Sequence, residues 1–391
     1  MDNFQKDIVN IIYAALTGKK NKISEEFDLE KGITLAKEHN IIALFYEGIV
    51  LCGFSPDIPV LKSLQAELYL SVMKDVHQKH MIKEITKRFD DANIDYLPLK
   101  GTILKTIYPK SAMRTMGDAD ILIKEEQYDK ISEILKTLDF SFIKETDHEL
   151  VWRHPSLLLE LHKRVMTTYN KDFYKYFDTG WSFAKKVEGT NSRYEFKPED
   201  FYIYIFVHFT KHYRISGIGI KHILDLWVYK KAYFNMNIDY IDKKLEQIGL
   251  SEFHKNVMDT LDAWFNNEES NDKTTLITNV IFSSGQYGLR EMAIINRAIR
   301  ESKETGSYKK TIIKKVANTL FLPYNRMCDE YPILKKMPAL LPFMWIIRWG
   351  KILIYRQKGI KKYMEDINAV NKSNIDKNQE ALNFVGLDFS D

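Results

Sequence analysis

Cysteine is scarce in this 391-residue sequence, which contains only Cys52 and Cys328, far apart and each in apolar surroundings. Two such residues exclude a disulfide framework and a cysteine-based zinc site, and low cysteine usage is typical of a reducing compartment. The first residues, 1–16, have the pattern of an amphipathic helix with acidic side chains and lack that of a signal peptide. We therefore expect a cytoplasmic protein.

A large excess of charge of either sign is also missing. The sequence has 57 Lys and Arg against 53 Asp and Glu, a formal net charge of +4, with 45% apolar and 28% charged residues. This balance is typical of a folded protein and permits an anionic substrate. It lacks the clustered basic excess and the basic, aromatic-rich stripe of nucleic-acid-binding proteins, so long nucleic acid is the least favoured partner.

No hydrophobic run is long enough to predict a transmembrane segment. The most apolar stretch, 338–355, contains Pro342, Arg348, Gly350 and Lys351. These residues interrupt it before the roughly 18 to 20 uncharged residues that a spanning helix needs. We interpret the stretch as a buried or partner-facing helix, with a helix lying on a membrane surface as the less favoured alternative.

Hydrophobic periodicity divides the chain into four regions. Residues 1–92 have helical spacing, and residues 198–370 return to it. Between them, the pattern of residues 93–197 predicts a strand, a helix, a second strand, a second helix and then three strand-like segments. Residues 371–391 have the composition of a loosely held tail. The predicted fold class is α+β, with a small mixed β-sheet, helices on one of its faces, flanking N-terminal helices and a large C-terminal helical domain.

Two aspartates stand at the start of the predicted strand "DADILI". Side chains alternate along a strand, so Asp118 and Asp120 point to one face and Ala119 and Ile121 to the other. Like charges this close repel each other, and burying them unpaired is expensive. A solvated turn would explain the pair, and so would a divalent cation such as Mg²⁺ held by both carboxylates.

A second acidic anomaly lies in the leucine-rich segment "SLLLELHKR", where Glu160 and His162 share one face. Three carboxylates on neighbouring strands suit a two-metal site for phosphoryl or nucleotidyl transfer. We therefore predict Asp118, Asp120 and Glu160 as catalytic metal ligands, with Mg²⁺ as the ion and Mn²⁺ as the alternative. His162 is a candidate general base or a support for these ligands.

The segment "LPLKGT" ends a strand and opens a helix at Lys100, Gly101 and Thr102. Free N–H groups at a helix N-terminus attract anions, and glycine lets a phosphate approach closely. We predict a nucleotide-binding turn here. Arg114 has two interpretations of equal weight. Its guanidinium could donate two hydrogen bonds to a phosphate, or it could be a counter-ion for the acidic residues.

The C-terminal helices add further candidates. His208 and His212 are four residues apart on one predicted helix, with Lys211 beside them. They could bind zinc, contact the substrate or its triphosphate, or simply pack, and the sequence leaves all three open. On the next helix, Asp225 is either a substrate contact or half of a surface pair with Lys221.

Taken together, these motifs resemble the DNA polymerase β-like nucleotidyltransferases, which combine a small-residue turn, a D-x-D strand and a lone carboxylate on a later strand. The sequence is most similar to an uncharacterised bacterial family within that superfamily. The matching pieces cover most of the chain and are "LKGTILKTIYPKSAMRTMGDADILI", "LELHKR" and "VHFTKHYRISGIGIKHILDLW". Two features depart from the superfamily pattern, namely Thr102 in place of Ser or Gly, and a longer gap between Gly101 and Asp118.

The resemblance implies an enzyme that moves an NMP from an NTP, with ATP as the first expectation, and releases pyrophosphate. The acceptor would be a hydroxyl or phosphate of a small molecule or a protein. A metal-dependent phosphodiesterase is one alternative, which the predicted triphosphate-binding turn disfavours. A non-catalytic interaction protein, docking a protein partner through its C-terminal helices, is another, which the intact set of three carboxylates disfavours.

Overall fold

The computed structural model describes residues 1–168, 170–286, 288–305, 321–324, 327–328, 331–355 and 372–388. The chain forms two compact units. The first comprises residues 1–211, 218–287 and 385–391, and the second comprises residues 212–217 and 288–384. These limits differ from the four sequence-based regions, and that division stays a prediction.

The N-terminal region is helical, as expected. Its helices are α1 (Asn3–Thr17), α2 (Leu29–Glu38), α3 (Ile42–Leu51) and α4 (Pro59–Asp91). Asp2 and Gln5 form a capping box that satisfies N–H groups at the start of α1. A Cβ atom at Gly48 would lie 2.0 Å from the carbonyl oxygen of Ile11, so only glycine permits this close contact between α3 and α1.

A five-stranded mixed sheet follows, which confirms the predicted fold class. Its strands are β1 (Tyr96–Pro98), β2 (Asp118–Ile123), β3 (Ser141–Glu145), β4 (Glu149–His154) and β5 (Leu157–His162), in the order β1-β2-β5-β4-β3. Strands β2 and β5 are parallel, and every other pair in this sheet is antiparallel. Helices α5 (Gly101–Leu104) and α6 (Tyr128–Thr137) lie on either side of β2 in sequence.

One face of this sheet is apolar. Its residues, including Ala119, Ile121 and Leu159, form a core with side chains of α4 and α6 such as Phe89 and Leu135. Because strand side chains alternate, the polar residues of β2 and β5 project from the opposite face. The predicted separation of the two faces is therefore present.

Helix α5 is one turn long and ends at Leu104. The N–H groups of Thr106 and Ile107 bond to carbonyls three residues back, at 3.0 and 3.2 Å. The chain therefore tightens into turns after Leu104 instead of continuing as an α-helix.

Helices dominate the rest of the first unit. After α7 (Lys171–Phe177) and an unpredicted hairpin of β6 (Ala184–Lys186) and β7 (Tyr194–Phe196) come α8 (Pro198–Ser216), α9 (Ile220–Ala232), α10 (Ile238–Gln247), α11 (Ser251–Phe265) and α12 (Asp272–Ser284). Pro198 begins α8, where its missing N–H costs nothing.

The second unit contains α13 (Arg290–Thr305), α14 (Leu341–Tyr355) and α15 (Lys372–Phe384). A small core of Met327, Cys328 and Leu334 contacts one side of α14. The region expected to be a loose tail contains α15, and Val385 and Leu387 beyond it are buried. None of the helices in the described residues is long and apolar enough to cross a membrane.

Candidate active site

The polar face of the sheet brings three carboxylates together. In the parallel pairing of β2 with β5, Asp120 lies opposite Glu160, and Asp118 lies opposite Leu158. Asp118 and Asp120 share a face because they are two residues apart. We call Asp118, Asp120 and Glu160 the acidic cluster; the structure places these three predicted ligands on one surface.

Asp120 is the buried and firmly paired member of the acidic cluster. Its Oδ1 accepts a hydrogen bond from Lys100 Nζ at 2.7 Å and lies 2.6 Å from His162 Nε2. Burial disfavours the charged carboxylate, but Lys100 and His162 outweigh it and hold the pKa of Asp120 well below its usual range. Both contacts end on Oδ1, so Oδ2 can still serve as a ligand atom.

Glu160 has a different environment. Burial, followed by the charges of Asp118 and Asp120, raises the pKa of Glu160 to about 8. Its Oε2 lies 3.8 Å from Nε2 of His162. The pKa of Asp118 is also raised, first by burial and then by Asp120. When all three carboxylates are ionised, the acidic cluster therefore has more negative charge than its neighbours neutralise.

This donor set fits a divalent cation. Ligand atoms of Asp120, Glu160 and His162 lie within 4.8 Å of one another. These three residues are the group of potential metal ligands found among the described residues. Carboxylate oxygens are the ligands that Mg²⁺ prefers, and a cation would relieve the repulsion that raises the pKa of Glu160. Asp118 projects from the same face but lies outside this compact group.

The predicted nucleotide-binding turn has an unusual backbone. Lys100 has a φ of +42°, a region rarely adopted by residues other than glycine, and its side chain points to Asp120. A Cβ atom at Gly101 would lie 3.1 Å from Met116 Cγ. The N–H groups of Thr102 and Ile103 donate to the carbonyls of residues 99 and 100, at 3.1 Å each. The backbone of the turn is therefore less free to bind an anion than the sequence suggested.

Arg114 lies in a second, separate group of buried charges. Its Nε donates to Asp225 Oδ1 and its Nη2 to Asp225 Oδ2, each at 2.8 Å. Tyr108 also donates to Asp225 Oδ1, at 2.8 Å. Burial opposes the charge on the guanidinium, but Asp225 raises the pKa of Arg114. We call Arg114, Asp225 and Tyr108 the arginine cluster. Arg114 is thus paired with Asp225, and its predicted contact with a phosphate stays a prediction.

Two lysines of the helical region face these groups. Burial, followed by the charge of Lys100, lowers the pKa of Lys211 to about 8, while Asp120 and Glu160 act in the opposite direction. Burial and the charge of Arg114 lower the pKa of Lys221 to about 7. Lys211 is therefore largely charged at neutral pH, whereas Lys221 is only about half charged and can gain a proton when more negative charge arrives.

The two predicted histidines do not join the potential metal ligands in the described residues. The ring of His208 on α8 lies 6.5 Å from that of His222 on α9. His212 belongs to the second unit. Their roles in binding metal or substrate remain predictions.

One buried residue near the acidic cluster was missed by the sequence analysis. Tyr204 is fully buried, and its hydroxyl has no hydrogen-bond partner among the described residues. Burial raises its pKa, and Lys100, Asp120 and Glu160 all act on it electrostatically. It lies in the apolar segment "FYIYIFVHF". An aromatic residue in such a segment predicts packing in the core and does not indicate a functional site.

Comparison with known proteins finds similar solved structures and a matching family model. Two solved structures of the antibiotic-resistance factor ANT(2″)-Ia are similar to this chain. A solution structure shows 12% identity and a TM-score of 0.33, covering 50% of this chain and 100% of that one. A crystal structure in complex with adenylyl-2″-tobramycin shows 11% identity and a TM-score of 0.33, covering 44% and 96%. No curated protein matches the sequence.

The model of a family described as "uncharacterised nucleotidyltransferase" matches residues 25–266, more than half of the chain. The matched residues contain the acidic cluster, the Lys100 turn and the arginine cluster. The match favours an enzyme over a non-catalytic interaction protein. The chain therefore belongs to this uncharacterised nucleotidyltransferase family.

Proposed function

We propose that this enzyme moves an NMP from an NTP, with ATP as the expected nucleotide, to an acceptor and releases pyrophosphate in a metal-dependent reaction. The observation that carries the proposal is the acidic cluster, in which Asp120 and Glu160 face each other on parallel strands and Asp118 shares their surface. Its surplus negative charge is suited to cations that also bind a triphosphate.

Asp118, Asp120 and Glu160 would hold Mg²⁺, with Mn²⁺ as the alternative ion. When bound, the ion supplies neutralisation of the triphosphate charge and Lewis-acid activation. Lys100 and His162 fix the orientation of Asp120, because both contact the same oxygen. A ligand held in place by its neighbours needs little reorganisation during the reaction.

Glu160 is the best candidate for the general base. Its carboxylate shares the polar face of the sheet with Asp120, and a positioned carboxylate can accept the proton of an attacking hydroxyl. His162 is less suited to this role, since burial lowers its pKa and its Nε2 is already bonded to Asp120.

Lys211 and Lys221 would respond to the arriving nucleotide. The pKa values of both side chains are lowered by burial, to about 8 and about 7. A polyanionic triphosphate favours their charged forms, so Lys221 would gain positive charge when the nucleotide binds, and Lys211, already largely charged, would keep its charge.

For the acceptor, we propose a hydroxyl or phosphate of a small molecule or a protein. The small net charge of +4 supports this choice over long nucleic acid. The two free cysteines support a cytoplasmic location.

The test uses α-labelled NTPs, Mg²⁺ and a cell extract that supplies acceptors. We expect label transfer and pyrophosphate release by the unchanged protein. Asp118→Asn and Glu160→Gln should each lower both signals by at least about a hundredfold, because each removes a ligand that positions charge in the transition state.

Matched controls are available on α6, where Asp129 and Glu133 are exposed. Asp129→Asn and Glu133→Gln make the same chemical changes away from the sheet face and should keep full activity. Unchanged pyrophosphate release in both Asp118→Asn and Glu160→Gln would contradict the proposal.

A further inference from the structure

A cavity of about 290 Å³ lies between α4 and the segment that leads into β2. Its walls come from α4, from residues 40–42 at the start of α3 and from residues 105–116, all within the first unit. This volume is near the lower end of the range of small-molecule binding sites. We call this cavity the α4 pocket.

Four buried polar side chains line the α4 pocket, namely Asp75, Gln78, Lys105 and Arg114. Asp75 Oδ1 and Lys105 Nζ are 2.5 Å apart, and Gln78 Nε2 donates to the carbonyl oxygen of Met116 at 3.1 Å. Such contacts hold buried polar groups in fixed positions. The α4 pocket therefore has a preformed polar wall and is not a gap between mobile surface side chains.

The charges of the α4 pocket favour an anionic ligand. Its two carboxylates are already paired, since Glu67 lies 2.5 Å from Lys37 and Asp75 lies 2.5 Å from Lys105. Lys74 also lines the pocket, is exposed and forms no ion pair with a described residue. A negatively charged ligand would therefore find a cation to bind, whereas a polycationic ligand would find both carboxylates of the pocket occupied.

The uncharged side chains of the α4 pocket suit a small hydroxyl-bearing molecule. Asn40 and Ser71 contribute an amide and a hydroxyl, while Ile42 and Leu70 add apolar surface. A compact polyol uses both, because its hydroxyls form hydrogen bonds and its C–H groups pack against apolar atoms.

The α4 pocket adjoins the acidic cluster. Met116 lines the pocket, and Asp118 is two residues further along the chain, a span of at most about 7 Å. Gly117 between them is exposed, and a Cβ atom there would meet nothing within 4 Å. Lys221 Nζ lies 3.5 Å from the carbonyl oxygen of Thr115, another residue of the pocket. Open space therefore lies along the backbone between the pocket and Asp118.

We propose that the α4 pocket binds the acceptor of the reaction and that this acceptor is a small phosphorylated polyol, an inference that rests on the proposed function. An acceptor hydroxyl oxygen would bond to the α-phosphorus of the NTP while the bond from that phosphorus to the β-phosphate oxygen breaks. Pyrophosphate leaves, and the hydroxyl proton passes to the Glu160 carboxylate. The pocket thus favours a small molecule over a protein as the acceptor.

The test measures binding of ribose 5-phosphate to the full chain by isothermal titration calorimetry, without NTP or metal, and uses ribose as the uncharged comparison. We expect ribose 5-phosphate to bind at least about tenfold more tightly than ribose. Ser71→Trp fills the pocket and Lys74→Glu reverses its unpaired charge. Each should weaken the binding of ribose 5-phosphate by at least about tenfold.

Ser63→Trp and Lys87→Glu are the matched controls, since both residues are exposed on α4 and do not line the pocket. Both variants should bind ribose 5-phosphate like the unchanged protein. Circular dichroism checks that each variant is folded. If Ser71→Trp misfolds, Lys74→Glu still tests the proposal, because the side chain of Lys74 is exposed.

A second measurement uses α-labelled NTP, Mg²⁺ and cell extract. Ser71→Trp and Lys74→Glu should lower label transfer by at least about tenfold while the affinity for the NTP is unchanged. Asp118→Asn should lose label transfer but keep the binding of ribose 5-phosphate. Absence of label transfer by the unchanged protein would count against the proposed function alone, because the binding of ribose 5-phosphate is measured without NTP.

Equal binding of ribose and ribose 5-phosphate, no binding of either, or binding that Ser71→Trp and Lys74→Glu leave unchanged would overturn the proposal. So would an equal loss in Ser63→Trp and Lys87→Glu. Binding that Asp118→Asn abolishes would also overturn it, since ribose 5-phosphate would then lie at the acidic cluster and not in the α4 pocket.

Discussion

The acidic cluster and the arginine cluster are both buried groups of charges in the first unit, and they differ in how well they are matched. In the arginine cluster, Asp225 receives hydrogen bonds from Arg114 and Tyr108, and a further Arg114 nitrogen bonds to a backbone carbonyl at 2.7 Å. Positive and negative charges are equal in number there. This is the pattern of a group that holds structure together.

The acidic cluster has three carboxylates against one paired lysine and a histidine. Its mismatch appears in Glu160, whose pKa is raised to about 8 by burial and like charges. It appears again in the His162 Nδ1 atom, which is buried without a partner among the described residues. Because buried polar groups are normally satisfied, such a deficit points to a missing ligand. The comparison therefore contrasts a group of charges that is matched within the protein with a group that we propose binds a ligand.

The largest effect on protein stability is expected when the negative charge of the arginine cluster is removed. Asp225→Asn leaves the buried guanidinium of Arg114 without its counter-ion, which we expect to lower the free energy of unfolding by about 3–5 kcal/mol. Urea denaturation measures the change.

A double variant provides the control for this experiment. Arg114→Met/Asp225→Leu removes both charges and should recover most of the loss, because no unpaired charge remains. A loss below about 1 kcal/mol in Asp225→Asn alone would show that the pair is not the structural element described above.

Two buried tyrosines, Tyr108 of the arginine cluster and Tyr204 near the acidic cluster, test the same difference with a smaller expected effect on stability. Tyr108→Phe removes a hydrogen bond to a charged acceptor and should cost about 2 kcal/mol of unfolding free energy. Tyr204→Phe removes a hydroxyl without a partner among the described residues and should be neutral or stabilise by about 1 kcal/mol. Thermal denaturation of both variants tests this, and an equal loss in the two would contradict it.

The sequence predicted the acidic cluster because its signals are local. Alternation along β2 and β5 places Asp118, Asp120 and Glu160 on the polar face, and the leucines around Glu160 mark its burial. Strand periodicity and the cost of buried charge are sufficient for that inference. The same reasoning correctly gave the mixed sheet and the flanking helices.

The arginine cluster could not be predicted, because its members are far apart in sequence. Arg114 and Asp225 are separated by 111 positions, and only the packing of α9 brings them together. The bond from Lys100 to Asp120 likewise depends on the positive φ of Lys100, which no propensity favours. Tyr204 was hidden by an apolar segment in which every neighbour is equally hydrophobic.

If the acidic cluster binds a cation, as we propose, the pH dependence of protein stability should reveal it. In the absence of metal, the folded state keeps the Glu160 proton up to a pH of about 8, whereas an ordinary glutamate releases it near 4.5. Between these values the folded state binds more protons than the unfolded state, so stability falls as pH rises. Glu160→Gln cannot titrate and lacks this contribution.

The measurement is the free energy of unfolding of both proteins between pH 5 and 8, with chelator and then with Mg²⁺. Taking the difference between the proteins cancels the other titrating groups. With chelator, we expect the unchanged protein to lose about 3–4 kcal/mol relative to Glu160→Gln over this range. Mg²⁺ should restore the unchanged protein at pH 8 and have little effect on Glu160→Gln. Parallel pH profiles that Mg²⁺ does not alter would contradict the account.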